Sequence, residues 1–136
     1  MDKIVTGTFD EDAFPYLQLQ VLNKKKKLSL SAKAIIDTGA AHCLIREELA
    51  KQLQLETLRL ADYRHPLFGK MPLTEYLMDL RFDQEGQQVA VIEGIRAGTL
   101  IDPQYPASII IGVEVLKHCI FTYNGRQRMF TLGFKS

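Results

Sequence analysis

Disulfide chemistry has almost nothing to work with in this chain. Among 136 residues there are two cysteines, Cys43 and Cys119. Two are too few for a disulfide framework, and in a reducing compartment they stay thiols. An excess of one charge is missing as well. Lysine and arginine number 17 against 16 aspartates and glutamates, a formal net charge of +1. That balance removes the electrostatic case for nucleic acid or an anionic membrane as partner, since both call for a strongly basic face. No stretch approaches the roughly 20 apolar residues that span a bilayer. The opening "MDKIVTGTFDED" lacks the apolar h-region of a signal peptide, so the expected location is cytoplasmic. There is no internal repeat and no biased segment beyond the lysines at 24–27, which read as the solvated tip of a hairpin. Peptides, proteins or small molecules remain as partners.

What is present is apolar material. Hydrophobic residues make up 46% of the chain, enough for a single domain over 1–136 whose core needs no staples. "FPYLQLQVL" (14–22) alternates with period two, the mark of a strand with one face on a core. "LSLSAKAII" (28–36) continues the alternation and becomes fully apolar at its end, so the two form a hairpin that runs into Asp37. "REELAKQLQL" changes period, with acids early and Lys51 later, and predicts a short helix over 46–54. "ADYRHPLFGKMPL" predicts a loop or hairpin, followed by alternating "TEYLMDLRF", a turn at "DQEG" and "QQVAVIEGI". After "IDPQYPA", the run "SIIIG" is a short buried strand closed by Gly112, and "VEVLKHC" is one or two helical turns. A final hairpin is expected around Asn124-Gly125. The expected class is all-β with one or two short helices.

One residue interrupts this pattern in an expensive place. Asp37 ends the apolar run "AIIDTGAAH" (34–42), where desolvation penalises a carboxylate unless hydrogen bonds or a second group compensate it. Either Asp37 opens an ordinary Asx-type turn, or a carboxyl stands where its proton matters. A pair of carboxyls can cut an amide without a metal: one takes a proton from a water held between them and the other donates to the carbonyl oxygen. Carboxyls in contact cannot both ionise cheaply, so the pair shares a proton.

"IIDTGA" (35–40) and "IIIGVEVL" (109–116), in that order, with a glycine-containing segment between them, resemble the retropepsin-like aspartic proteases, the single-domain type of retroviruses, bacteria and the Ddi-like proteins. The resemblance runs over almost the whole chain. It implies an all-β acid-protease barrel and an aspartic endopeptidase in which Asp37 is catalytic and Thr38, Gly39 and Ala40 support its loop. In that family the threonines of two such loops interlock. The segment around Tyr63 to Met71, with Phe68 and Gly69 near its tip, is then the flap over the substrate, and Ile110, Ile111 and Gly112 back the catalytic loop. Only one such motif is present, so the resemblance implies a homodimer with Asp37 from each subunit, a peptide or protein substrate, and no cofactor or metal.

The sequence also departs from the family. The retroviral type often has an acid two residues after its motif glycine and an arginine after the downstream glycine; Ala41 and Val113 stand there. The paired change leaves no orphaned charge. The flap lacks a glycine-rich tip, which keeps a second reading open: a peptide-binding or dimerisation module of the same fold that does not cut. His42-Cys43 and His118-Cys119 raise a zinc reading, against which strand neighbours facing opposite ways argue.

Overall fold

The computed structural model describes residues 3–65 and 69–135. Ten strands and two short helices follow in the order β1 (Lys3–Phe9), β2 (Pro15–Asn23), β3 (Leu28–Ile36), β4 (Cys43–Arg46), α1 (Glu47–Gln52), β5 (Glu56–His65), β6 (Gly69–Gln84), β7 (Gln87–Leu100), β8 (Ile109–Ile111), α2 (Val113–Leu116), β9 (Cys119–Asn124) and β10 (Met129–Phe134). The sheet order is β5-β6-β7-β4-β8-β3-β2-β1-β10-β9, and β6 also pairs with β2. That extra pairing closes β2, β3, β8, β4, β7 and β6 into a six-stranded barrel. The fold is all-β, as the alternation predicts.

Period-two patterning explains the closure. In β2, Leu17, Leu19 and Val21 are buried while Gln18 faces solvent. The end of β3 is buried at Ala34, Ile35 and Ile36; there the strand has neighbours on both sides, β2 and the parallel β8. Buried residues on both faces require a continuous apolar run. The largest fully buried side chains include Phe82, Phe130, Ile109, Met78, Leu80 and Leu132, each worth about 1.5–3 kcal/mol of transfer free energy.

Several elements differ from their sequence reading. β1 and β4 carry no strand signal strong enough to call, β4 because it is four residues long and runs directly into α1. β5 is a strand almost exposed throughout, since it pairs only with β6 and so has no buried face to imprint a pattern. "GKMPL" and "TEYLMDLRF" belong to one strand, β6. Pro72 is accommodated there because β6 has only β5 beside it at that point. The last hairpin exists, but Asn124 pairs with Met129, so its loop is Gly125 to Arg128 and not a two-residue Asn-Gly turn. Asn124 Oδ1 accepts from the amide of Gln127 at 3.1 Å, and the left-handed residue is Arg128 at φ 54°.

β1 and β10 depend on one missing side chain. Gly7 lies opposite Phe130, and a Cβ on Gly7 would land inside the fully buried Phe130 ring. Gly7→Ala is therefore expected to lower stability by about 1–3 kcal/mol in urea unfolding, and Phe130→Leu in the same chain to recover part of that loss. Additive losses would show that the ring over Gly7 is not the cause.

Candidate active site

The Asp37 loop is suspended between strands. The amide of Asp37 donates to the carbonyl of Ile111 at 2.9 Å, extending the β3–β8 ladder by one rung. The chain then turns: the amide of Ala40 reaches the Asp37 carbonyl at 3.1 Å, and the amide of Gly39 donates to Asp37 Oδ1 at 2.9 Å. On the far side, the amide of Val113 donates to the Ala40 carbonyl at 2.8 Å. Gly112 is pressed against this loop. A Cβ there would lie 2.5 Å from the His42 carbonyl oxygen and 2.6 Å from that of Ala40, so only glycine permits the approach. Its amide points at Cys43 Sγ, 3.5 Å away, and burial pushes the Cys43 thiol up to about 11.

Cavities open on both sides of Asp37, which is itself half-buried. One, of about 370 Å³, is walled mainly by apolar side chains, among them Leu44, Met71, Leu73, Ile101 and Ile110. The other, of about 210 Å³, is bounded by Phe14, Phe121 and Tyr123 together with Thr38. Tyr105 lines both. Burial, and then the negative field of Asp37, push its phenol up to about 12, so it remains a neutral hydroxyl through the whole working range of a carboxyl. The loop that carries it is strapped down by Arg46, whose guanidinium donates to the carbonyls of Asp102, at 3.1 Å, and Tyr105. Asp102 lines the larger of the two cavities, with its Oδ1 taken by the amide of Gln104 at 2.9 Å. A separate recess of about 450 Å³ lies around Lys24, Lys25 and Lys26. Within it Lys24 pairs with Glu93 at 2.6 Å, and Asp79 accepts from the amide of Gly94 at 2.9 Å.

A second cluster shapes the cavity wall. Tyr63 of β5 is buried, and its hydroxyl donates to Glu75 Oε2 at 2.7 Å, while Arg59 Nε donates to Glu75 Oε1 at 3.0 Å. Gly98 makes room for the ring; a Cβ there would sit 2.7 Å from Tyr63 Cζ. His42 meets the same ring edge-on, with centroids 5.1 Å apart. Burial pushes the Glu75 carboxyl upward, but the Tyr63 hydrogen bond and Arg59 outweigh it and hold it below the ordinary range. Burial and the Glu75 bond raise the Tyr63 phenol. Sequence reading placed Tyr63 only as the start of the flap segment, and missed Glu75, Gly98 and Tyr105 as site residues. Gly98 within the apolar "RAGTL" is the one local signal, since glycine inside a strand marks a close approach.

The sequence-predicted loop residues Asp37, Thr38, Gly39 and Ala40 do come together with Ile110, Ile111 and Gly112. Thr38 is exposed, and among the described residues its hydroxyl makes no hydrogen bond. Gly69 opens β6 at φ +70°; Phe68 lies outside the described residues. His42 is exposed and Cys43 fully buried. Among the described residues no three His, Cys, Asp or Glu side chains gather as a metal site, and no helix is long and apolar enough to cross a membrane.

With this geometry the fold can be compared with solved structures. A retropepsin-like aspartic protease from Rickettsia conorii superposes with a TM-score of 0.61 at 14% identity, over 98% of this chain and 92% of that one. At that identity the likeness is one of fold. No family model and no curated protein matches the sequence. The chain thus has a retropepsin-like all-β fold, with Asp37 at the junction of its cavities.

Two consequences can be measured. Gly112→Ala, which drives a methyl into two backbone carbonyls, should cost about 1–3 kcal/mol or more in thermal or urea unfolding. Glu75 stabilises the fold above its unfolded value of about 4.3, and this contribution disappears as pH falls through the lower folded value. The stability gap between wild type and Glu75→Gln should therefore be widest near neutral pH and close on acidification; a gap independent of pH would remove the charge of Glu75 from the account.

Proposed function

We propose that this chain is one half of an aspartic endopeptidase, completed by a second copy related by a twofold axis through Asp37. The observation that carries the reading is Asp37 itself: its backbone amide is anchored on the Ile111 carbonyl, and its carboxylate stands half-exposed between two cavities. Among the described residues only the Gly39 amide donates to it. Such a group is free to face a second carboxyl. In the pair, a water held between the two acids loses a proton to one of them while the other donates to the scissile carbonyl, giving a tetrahedral intermediate; the first acid then passes its proton to the amide nitrogen, the C–N bond breaks and the amine leaves, the second acid regaining its proton from the intermediate's hydroxyl. Gly39 offers a backbone without a Cβ where an extended peptide would pass.

The unpartnered groups around the loop support assembly. Thr38 is exposed, with its hydroxyl unused among the described residues. Tyr123 and Phe14, at the cavity shared by Asp37 and Thr38, are 53% and 49% exposed. β9 is an edge strand that leaves Ile120 67% exposed, an arrangement that invites pairing. The name of the Rickettsia conorii neighbour agrees with a proteolytic role.

The test is to compare wild type with Asp37→Asn on a peptide library. Folding and association should persist in the variant while cleavage is lost, because an amide takes no proton from water. Cleavage per chain should fall with dilution below the dimer dissociation constant, and excess Asp37→Asn chains should suppress wild type through mixed dimers. Full activity in a sedimentation-verified monomer would refute the shared pair. Intact peptides with retained peptide binding would favour the non-cutting module.

A further inference from the structure

The recess that adjoins the Asp37 cavity carries a charge pattern that the proposed chemistry does not use. It measures about 580 Å³ and lies between the loop residues 39–42 and the β5–β6 arm, which contributes Asp62, Tyr63, Arg64 and Lys70. Arg64 and Lys70 are direct cross-strand partners, so both side chains stand on the same face of the arm. Like charges set opposite one another destabilise a hairpin. Neither has a carboxylate within 4 Å among the described residues, whose ion pairs are Lys24–Glu93, Lys51–Glu47, Arg59–Glu75 and Arg81–Asp83. The facing loop adds no acid: Ala40 and Ala41 are apolar, and His42 can only add positive charge. Asp62 is the one acid on the wall, leaving the recess with two permanent cations against one anion.

We propose that this recess takes an acidic side chain of the bound peptide, which makes Arg64 and Lys70 specificity-determining residues; the inference rests on the peptide-cutting reading above. Gly39, Ala40, Leu44, Tyr63 and Arg64 line both this recess and the apolar one at Asp37. One extended peptide crossing Asp37 therefore reaches both. Residues two apart on a strand share a face about 6.6 Å apart, so an apolar side chain in the first cavity sends the side chain two positions away toward the second. Tyr63, pinned by Glu75 and slotted over Gly98, is the fixed partition between them. A carboxylate arriving there separates the two cations and gains charge-assisted hydrogen bonds.

Binding can be read without cutting by using Asp37→Asn protein and fluorescent octapeptides with an apolar central pair. Glu, Gln or Lys is placed at each remaining position in turn. At one position, two residues from an apolar one, Glu should bind roughly three- to tenfold more tightly than Gln, with the margin shrinking as salt is raised. The double variant Arg64→Glu/Lys70→Glu, made in the same protein, should invert the order and prefer Lys. Lys25→Glu/Lys26→Glu changes the net charge equally in the distant recess and should leave the order unaltered. Equal binding of Glu and Gln peptides, or a preference that survives reversal at Arg64 and Lys70, overturns the inference. Cleavage by wild type is scored separately. Acid-selective binding without cleavage would keep this recess and remove the protease, and cleavage indifferent to Glu would do the opposite.

Discussion

The approach of Gly112 to the carbonyls of Ala40 and His42 is the contact on which the site depends. Two segments far apart in the chain, the turn after β3 and the entry to α2, meet there with no side chain between them. The amide of Asp37 reaches Ile111 only because β8 lies parallel to β3, and the Val113 amide closes the other end of the loop. A turn bearing a carboxylate is ordinarily a solvent feature. Here its backbone is tied at both ends into a barrel, so the sheet fixes where the carboxylate stands and the Gly39 amide within the loop fixes how it turns.

The barrel in turn requires long-range pairing. β2 must find β3 locally, but it must also find β6 to close the ring, and β8 inserts between strands that precede it by many residues. Such topology forms late and slowly, since the loop-closure entropy precedes the contacts that offset it.

What could be read from the sequence follows from where burial is one-sided. β2, β3 and β8 show in the pattern because they pack on a core, and Asp37 shows because it breaks an apolar run. The Asp-Thr-Gly-Ala turn and the Ile-Ile-Ile-Gly segment are adjacent in space, an expectation that came from the family resemblance and not from local pattern. β5 was legible only at its end, as one arm of the loop or hairpin read over 61–73, because solvent covers most of its surface. Glu75 looked like an ordinary outward acid in an alternating strand, because nothing nearby in sequence announces Tyr63 and Arg59 across the hairpin. Tyr105 sat in a proline-flanked loop whose position is decided by Arg46, a residue 59 positions away. Elements recorded in local periodicity were legible; partnerships made by tertiary closure were not.

The strap formed by Arg46 makes the Asp37 cavity mechanically lopsided. One wall, the Asp102–Tyr105 loop, is tied to the barrel by a guanidinium gripping two carbonyls, whereas the opposite wall is a two-stranded arm whose outer strand, among the described residues, pairs with β6 alone. Widening the cavity therefore costs least on the side of the arm, where a single ladder holds the outer strand.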